Sequence, residues 1–160
     1  MRHVIVFALS VGLLASSAAA RQTGGITAKP ATKACSLLTK ELAMKVSPSP
    51  NKAMFTIPPE ESSLGKSGSA CEYADITLQI DPFSPALIAS ESKKDKSWVQ
   101  VPGVGDSAWF HDQKNGNAEF MASVGTRTFT IQMGIPAKST AETIKPNVIA
   151  LANAIVPKLK

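Results

Sequence analysis

Residues 107–133 constrain this chain more than any other stretch. Three runs, SAWFHD, AEFMASV and TFTIQM, each alternate apolar with polar positions, and only short turns separate them. Ala118, Phe120, Ala122 and Val124 fall in one phase, as do Phe129, Ile131 and Met133. That period of two marks strands with one buried face. Asn115-Gly116 is a strong hairpin signal, and Gly125-Thr126 supplies a second tight turn. A parallel crossover takes a dozen or more residues, so these three strands have to run antiparallel.

Two more strands are expected upstream. In CEYADITLQID, Ala74, Ile76, Leu78 and Ile80 alternate with polar residues, and Asp81-Pro82 ends the run. SWVQV places Val99 and Val101 inward. The first helix is read from Cys35, Leu38, Leu42 and Val46, with Leu37 widening the face, and Ser47-Pro48-Ser49-Pro50 stops it. Residues 47–70, rich in Ser, Pro and Gly, read as a long loop with a short extended piece at MFTI. A short helix follows in SPALIASESKKD, with Ser84 as N-cap and Pro85 at its first position. The last helix opens with Ser139 and Glu142 at capping-box spacing. Its stripe is Ile144, Val148, Leu151, Ile155 and Leu159, and Pro146 either kinks it or marks its first turn. The expectation is an α+β fold: an antiparallel sheet of four to five strands, with the N- and C-terminal helices packed on one face.

The N-terminus, MRHVIVFALSVGLLASSAAA, has a basic start, a short apolar run and Ala18-Ala19-Ala20 as a small-residue end. It reads as a signal peptide over 1–20, cleaved after Ala20, which places the chain in the periplasm or outside the cell. Residues 21–32 then form a flexible leader and 33–160 a single domain. No second apolar segment reaches spanning length, so no transmembrane segment is expected after cleavage. Removing the signal takes Arg2 with it and leaves 16 basic against 12 acidic residues, a net charge of +4. The lysines are scattered. The one cluster, Lys93, Lys94 and Lys96, is broken by Asp95 and reads as a solvated helix end, so no nucleic-acid partner is expected. Cys35 and Cys71 are an even pair in an exported chain, 36 residues apart, and are expected to bridge.

Several motifs have the spacing of known chemistry. The spacing G-x-G-x-x-A in VPGVGDSAWF is that of a dinucleotide loop, but such a loop needs a helix after it, and SAWFHD leaves no room for one. The glycines read instead as a corner, with Asp106 hydrogen-bonding the turn. In SLGKSG the first glycine of a phosphate loop is replaced by Glu60. S-x-x-K occurs at Ser63/Lys66 and Ser90/Lys93 without the companion boxes of penicillin-binding enzymes. His111 is the single histidine left after signal removal. It is a poor basis for a triad or a metal site. No catalytic residue, metal or cofactor is expected.

Alternation also sorts the sheet faces. With Val99, Val101, Ala108, Phe110 and Phe120 inward, the outward set is Trp98, Gln100, Trp109, His111, Glu119 and Met121. Both tryptophans thus fall on the face opposite the helices, as a candidate binding site of Trp98, Gln100, Trp109, His111 and Met121. The competing expectation is that the 47–70 loop covers these rings.

A resemblance is also visible. CSLLTKELA, the second cysteine in CEYADITLQI, VPGVGDSAWF, a Phe-rich hairpin and LANAIVPKL together resemble the secreted lipoprotein family catalogued as domain of unknown function 3558, over residues 33–159. That likeness implies a Cys35–Cys71 bridge, a sandwich similar to the PsbP-like α+β folds, and a binding or adaptor role without known catalysis. Family members are typically lipid-anchored; this chain lacks a cysteine at its cleavage site. The expected function is an exported, non-catalytic binding module, its partner an envelope protein or a small ligand. One alternative is a periplasmic inhibitor or immunity-type protein using a protruding loop at 51–69. The other is an unrecognised hydrolase built on His111.

Overall fold

A computed structural model describes residues 32–160. The signal peptide expected over 1–20 and the leader up to residue 31 lie outside the described residues. The fold is α+β, built on one antiparallel sheet of seven strands. In chain order these are β1 (Glu60–Leu64), β2 (Gly68–Tyr73), β3 (Ile76–Ile80), β4 (Val99–Gln100), β5 (Ser107–Asp112), β6 (Asn117–Val124) and β7 (Arg127–Gly134). Their spatial order is β1-β2-β3-β7-β6-β5-β4. The helices are α1 (Ala34–Leu37), α2 (Lys40–Val46), α3 (Pro85–Lys94) and α4 (Ala141–Leu159).

The β5–β6–β7 meander forms as its alternation requires. Phe110, Phe120 and Ile131 pair across it, and all three are buried. On this face α4 lays Ile144, Val148, Leu151, Ile155 and Leu159, every one of them buried, and α2 packs beside it. Thr140, not Ser139, caps α4 by accepting the Thr143 amide at 3.3 Å, and Pro146 lies inside the helix. The N- and C-terminal helices therefore share one face, as expected. Fully burying side chains such as Phe120 and Ile131 contributes about 2–3 kcal/mol each.

Seven strands replace the expected four to five for two reasons. CEYADITLQID is not one strand. Tyr73 pairs with Ile76 across a two-residue turn, with Ala74 at φ +60° and exposed. And part of the expected 47–70 loop is a strand: β1 pairs with β2, Glu61 lying opposite Cys71. MFTI is not extended either. Residues 52–56 form a 3-10 turn that buries Phe55 edge-on against Tyr73, centroids 5.3 Å apart. The Tyr73 hydroxyl donates to the Phe55 carbonyl at 3.0 Å.

The first helix divides in two. Leu38 leaves helical geometry and Thr39 is extended, so its hydroxyl can accept the Leu42 amide and cap α2. Val99 lies on the two-residue edge strand β4 and is 49% exposed, against the expectation that it points inward; Val101 is buried as expected.

Thr32 is tied to the end of β3 through Arg127. Arg127 Nε donates to Asp81 at 2.6 Å, its Nη1 to the Thr32 hydroxyl at 3.2 Å, and the Thr128 amide donates to the other Asp81 oxygen at 3.0 Å. Both charged side chains are about four-fifths buried. Asp81→Ala leaves the guanidinium partly buried and unpaired, and is expected to cost about 2 kcal/mol. In a urea titration the midpoint drops while the slope is unchanged. A midpoint within error of the parent would show the pair to be idle.

Candidate functional site

Strand pairing assembles the second sheet face row by row. One row runs Gln100, Trp109, Met121, Thr130, Gln79, Ala70 and Ser62 across all seven strands. The next runs His111, Glu119, Gln132, Thr77, Glu72 and Glu60. On β2, β3, β5, β6 and β7 the residues of these rows alternate with core residues, so the rows point away from α4.

Helix α3 lies on this second face, and its main contact is with β6. Its Ile88 is buried and lines a small apolar hollow of about 60 Å³ with Phe83, Leu87, Glu91 and Met121. Met121 is consequently buried, with 5% of its surface exposed. It points outward as alternation requires but is no open contact residue, because the SPALIASESKKD helix crosses above it. Helices therefore occupy both faces. The sequence signal for this was Leu87 and Ile88 on a short helix between strands, with Phe83 just before it. Phe83 and Leu87 remain 45% and 42% exposed.

The other expected residues are brought together. Trp98 ends the α3–β4 connection, and its ring tilts over that of His111 on β5, centroids 4.7 Å apart. Trp109 sits between Gln100 and Met121. Both indoles are half-buried, and Gln100 is exposed. The 47–70 segment does not cover them. Its Phe55 packs with Tyr73, whose row partners Ile76, Met133 and Ala118 belong to the α4 face. Nor does 51–69 protrude as a free loop, since β1 is a paired strand within it.

Asp95, Asp112 and Glu119 lie close to the aromatic pair in sequence or strand register, with Lys96 and Lys114 beside them. The Ser97 hydroxyl and then its amide hold the Asp95 carboxyl below its ordinary value. The Lys114 ammonium, followed by the Lys114 amide, does the same for Asp112. Glu119 accepts from the neutral Gln113 amide. The buried His111 Nδ1 has no hydrogen-bond partner among the described residues. A catalytic imidazole needs a partner on that nitrogen to fix its tautomer, so the arrangement gives no support to a triad.

At the GVGDSA corner the glycines do turn the chain. Gly103 and Gly105 have φ of +80° and +61°, and strand β5, not a helix, follows. Asp106 donates its amide to the Ser123 carbonyl at 2.8 Å and accepts the Gly125 amide at 2.6 Å. No pyrophosphate-binding helix terminus is present at this loop.

Cys35 and Cys71 form a disulfide. Among the described residues, no group of His, Cys, Asp and Glu has the geometry of a metal site, and no helix is long and apolar enough to cross a membrane. No family model matches the chain, and neither does any curated protein or solved structure.

Proposed function

We propose that this chain is an exported, non-catalytic binding module that recognises an envelope partner or ligand through the second face of its sheet. One observation carries the reading. Two tryptophans sit half-exposed on the one sheet face that α4 leaves free, and one of them is held in place by stacking on His111. Rigid aromatic rings with polar neighbours suit recognition, since they offer contact area at low conformational cost. The Cys35–Cys71 disulfide supports export, because such bridges persist in oxidising compartments.

The two indole N–H signals give a direct test, since the chain has two tryptophans. On adding fractions of envelope extract to the labelled protein, the active fraction is expected to shift both signals. Shifts confined to residues of α4 or of the β1–β2 hairpin would place recognition elsewhere.

A further inference from the structure

The row next to the tryptophans has a charge pattern of its own. His111, Glu119, Gln132, Thr77, Glu72 and Glu60 are successive partners from β5 to β1. The strand residues of this face include no lysine or arginine, although the chain has 17 of them and a net charge of +5. Arg127, the one strand cation, shares the phase of Phe129 and Ile131 on the other face and is paired with Asp81. Glu60 and Glu72 lie directly opposite each other, an unfavourable like-charge pair. Among the described residues neither forms a salt bridge, nor does Glu119. Lys94 and Lys114 are engaged by Glu91 and Asp112.

The lysines of this side lie on α3 and in the loops beside it, at Lys93, Lys94, Lys96 and Lys114, so the strands themselves carry carboxylates and nothing that would neutralise a phosphate. Carboxylates without cations favour a partner that brings them. Helix α3 crosses the neighbouring row at β6, while Gln132 and Thr77 are half-buried and Glu72 and Glu60 exposed.

We propose that this face seats a basic peptide segment of a partner protein, lying extended across the strands from the Trp98–His111 pair toward Glu72. This rests on the binding reading above and names its partner. Spacing adds a constraint. Glu119 and Glu72 are three strand gaps apart, about 14 Å, which an extended peptide spans in about four residues. Residues four apart on an extended strand point the same way, so the matching segment carries Lys or Arg at i and i+4.

The test uses tryptophan fluorescence of the full chain at low and physiological salt. Its probes are a seven-residue Ser/Gly peptide with lysines four apart, an isomer with adjacent lysines, and neutral chitotetraose. Saturable binding is expected for the first peptide. It should be weaker for the isomer, weaker with added salt, and reduced about fivefold by Glu72→Gln with Glu119→Gln. Absence of saturable binding of the spaced peptide, or binding that the double substitution leaves unchanged, overturns the proposal. If chitotetraose perturbs the indoles and the peptides do not, the face binds but the basic partner is wrong. If no probe perturbs them and envelope fractions leave both indole signals unmoved, the binding reading fails as well.

Discussion

Replacing Cys35 and Cys71 with alanine lowers the unfolding free energy by about 4 kcal/mol. The bridge closes a loop of 36 residues, and the chain-entropy model assigns a closure of that length roughly this value. The loop is costly to order for a local reason. Between the cysteines lie α2, the 52–56 turn and β1. The four-residue α1 is too short to persist alone. It is held by the bridge and by Glu61, whose carboxylate accepts the Ala34 and Cys35 amides at 2.9 and 2.8 Å. The melting temperature of the variant is expected to fall by more than roughly 10 °C, and the parent under reducing conditions should match it. A loss below about 1 kcal/mol would show that Glu61 and the Ser69 contact to Ala34 already order the segment.

The second large effect is at Gly105. Its φ is +61°, and a Cβ there would overlap the Ser123 carbonyl oxygen on β6 and press on Val124. That carbonyl belongs to the sheet and also accepts the Asp106 amide, so it cannot yield without breaking the corner. Gly105→Ala should cost more than about 3 kcal/mol, the left-handed penalty of about 1–2 kcal/mol being joined by a lost buried hydrogen bond. Gly103→Ala is the control. Its φ is +80°, but nothing lies within contact of a Cβ, so its cost is about 1 kcal/mol. Equal losses at the two positions in chemical denaturation would contradict the close approach to Ser123.

These sites show what the sequence makes legible and what it hides. The meander and the α4 stripe could be read because each element buries one face, so its period is printed in its residues. The hairpin at Ala74-Asp75 was hidden by a change of phase. Ser69, Cys71 and Tyr73 are buried in odd register and Ile76, Leu78 and Ile80 in even register. A two-residue turn produces that switch, and reading the even phase backwards through Ala74 misses it. Strand β1 carries no period because EESSL is almost wholly exposed. An edge strand guarded by charge need not alternate, and Gly65 and Gly68 flanking Lys66-Ser67 were its one local cue.

The candidate site was legible in part for the same reasons. Alternation on β5 and β6 places Trp109, His111, Glu119 and Met121 on one face without any tertiary knowledge. It cannot say what lies above that face, so the one cue to the cover of α3 over Met121 was the apolar set Phe83, Leu87 and Ile88. The carboxylate row was out of reach too. Glu119, Glu72 and Glu60 are distant in sequence and become neighbours only through the order β6-β7-β3-β2-β1.

The central claim is that the Trp98/Trp109 face is the recognition surface, and one measurement bears on it directly. A partner captured from envelope extract by the parent protein is titrated calorimetrically against Trp98→Ala with Trp109→Ala, a thermal melt confirming that the variant remains folded. Loss of the indoles is expected to weaken binding at least roughly thirtyfold, as removal of aromatic anchors does. A folded variant that binds its partner with unchanged affinity would contradict the account.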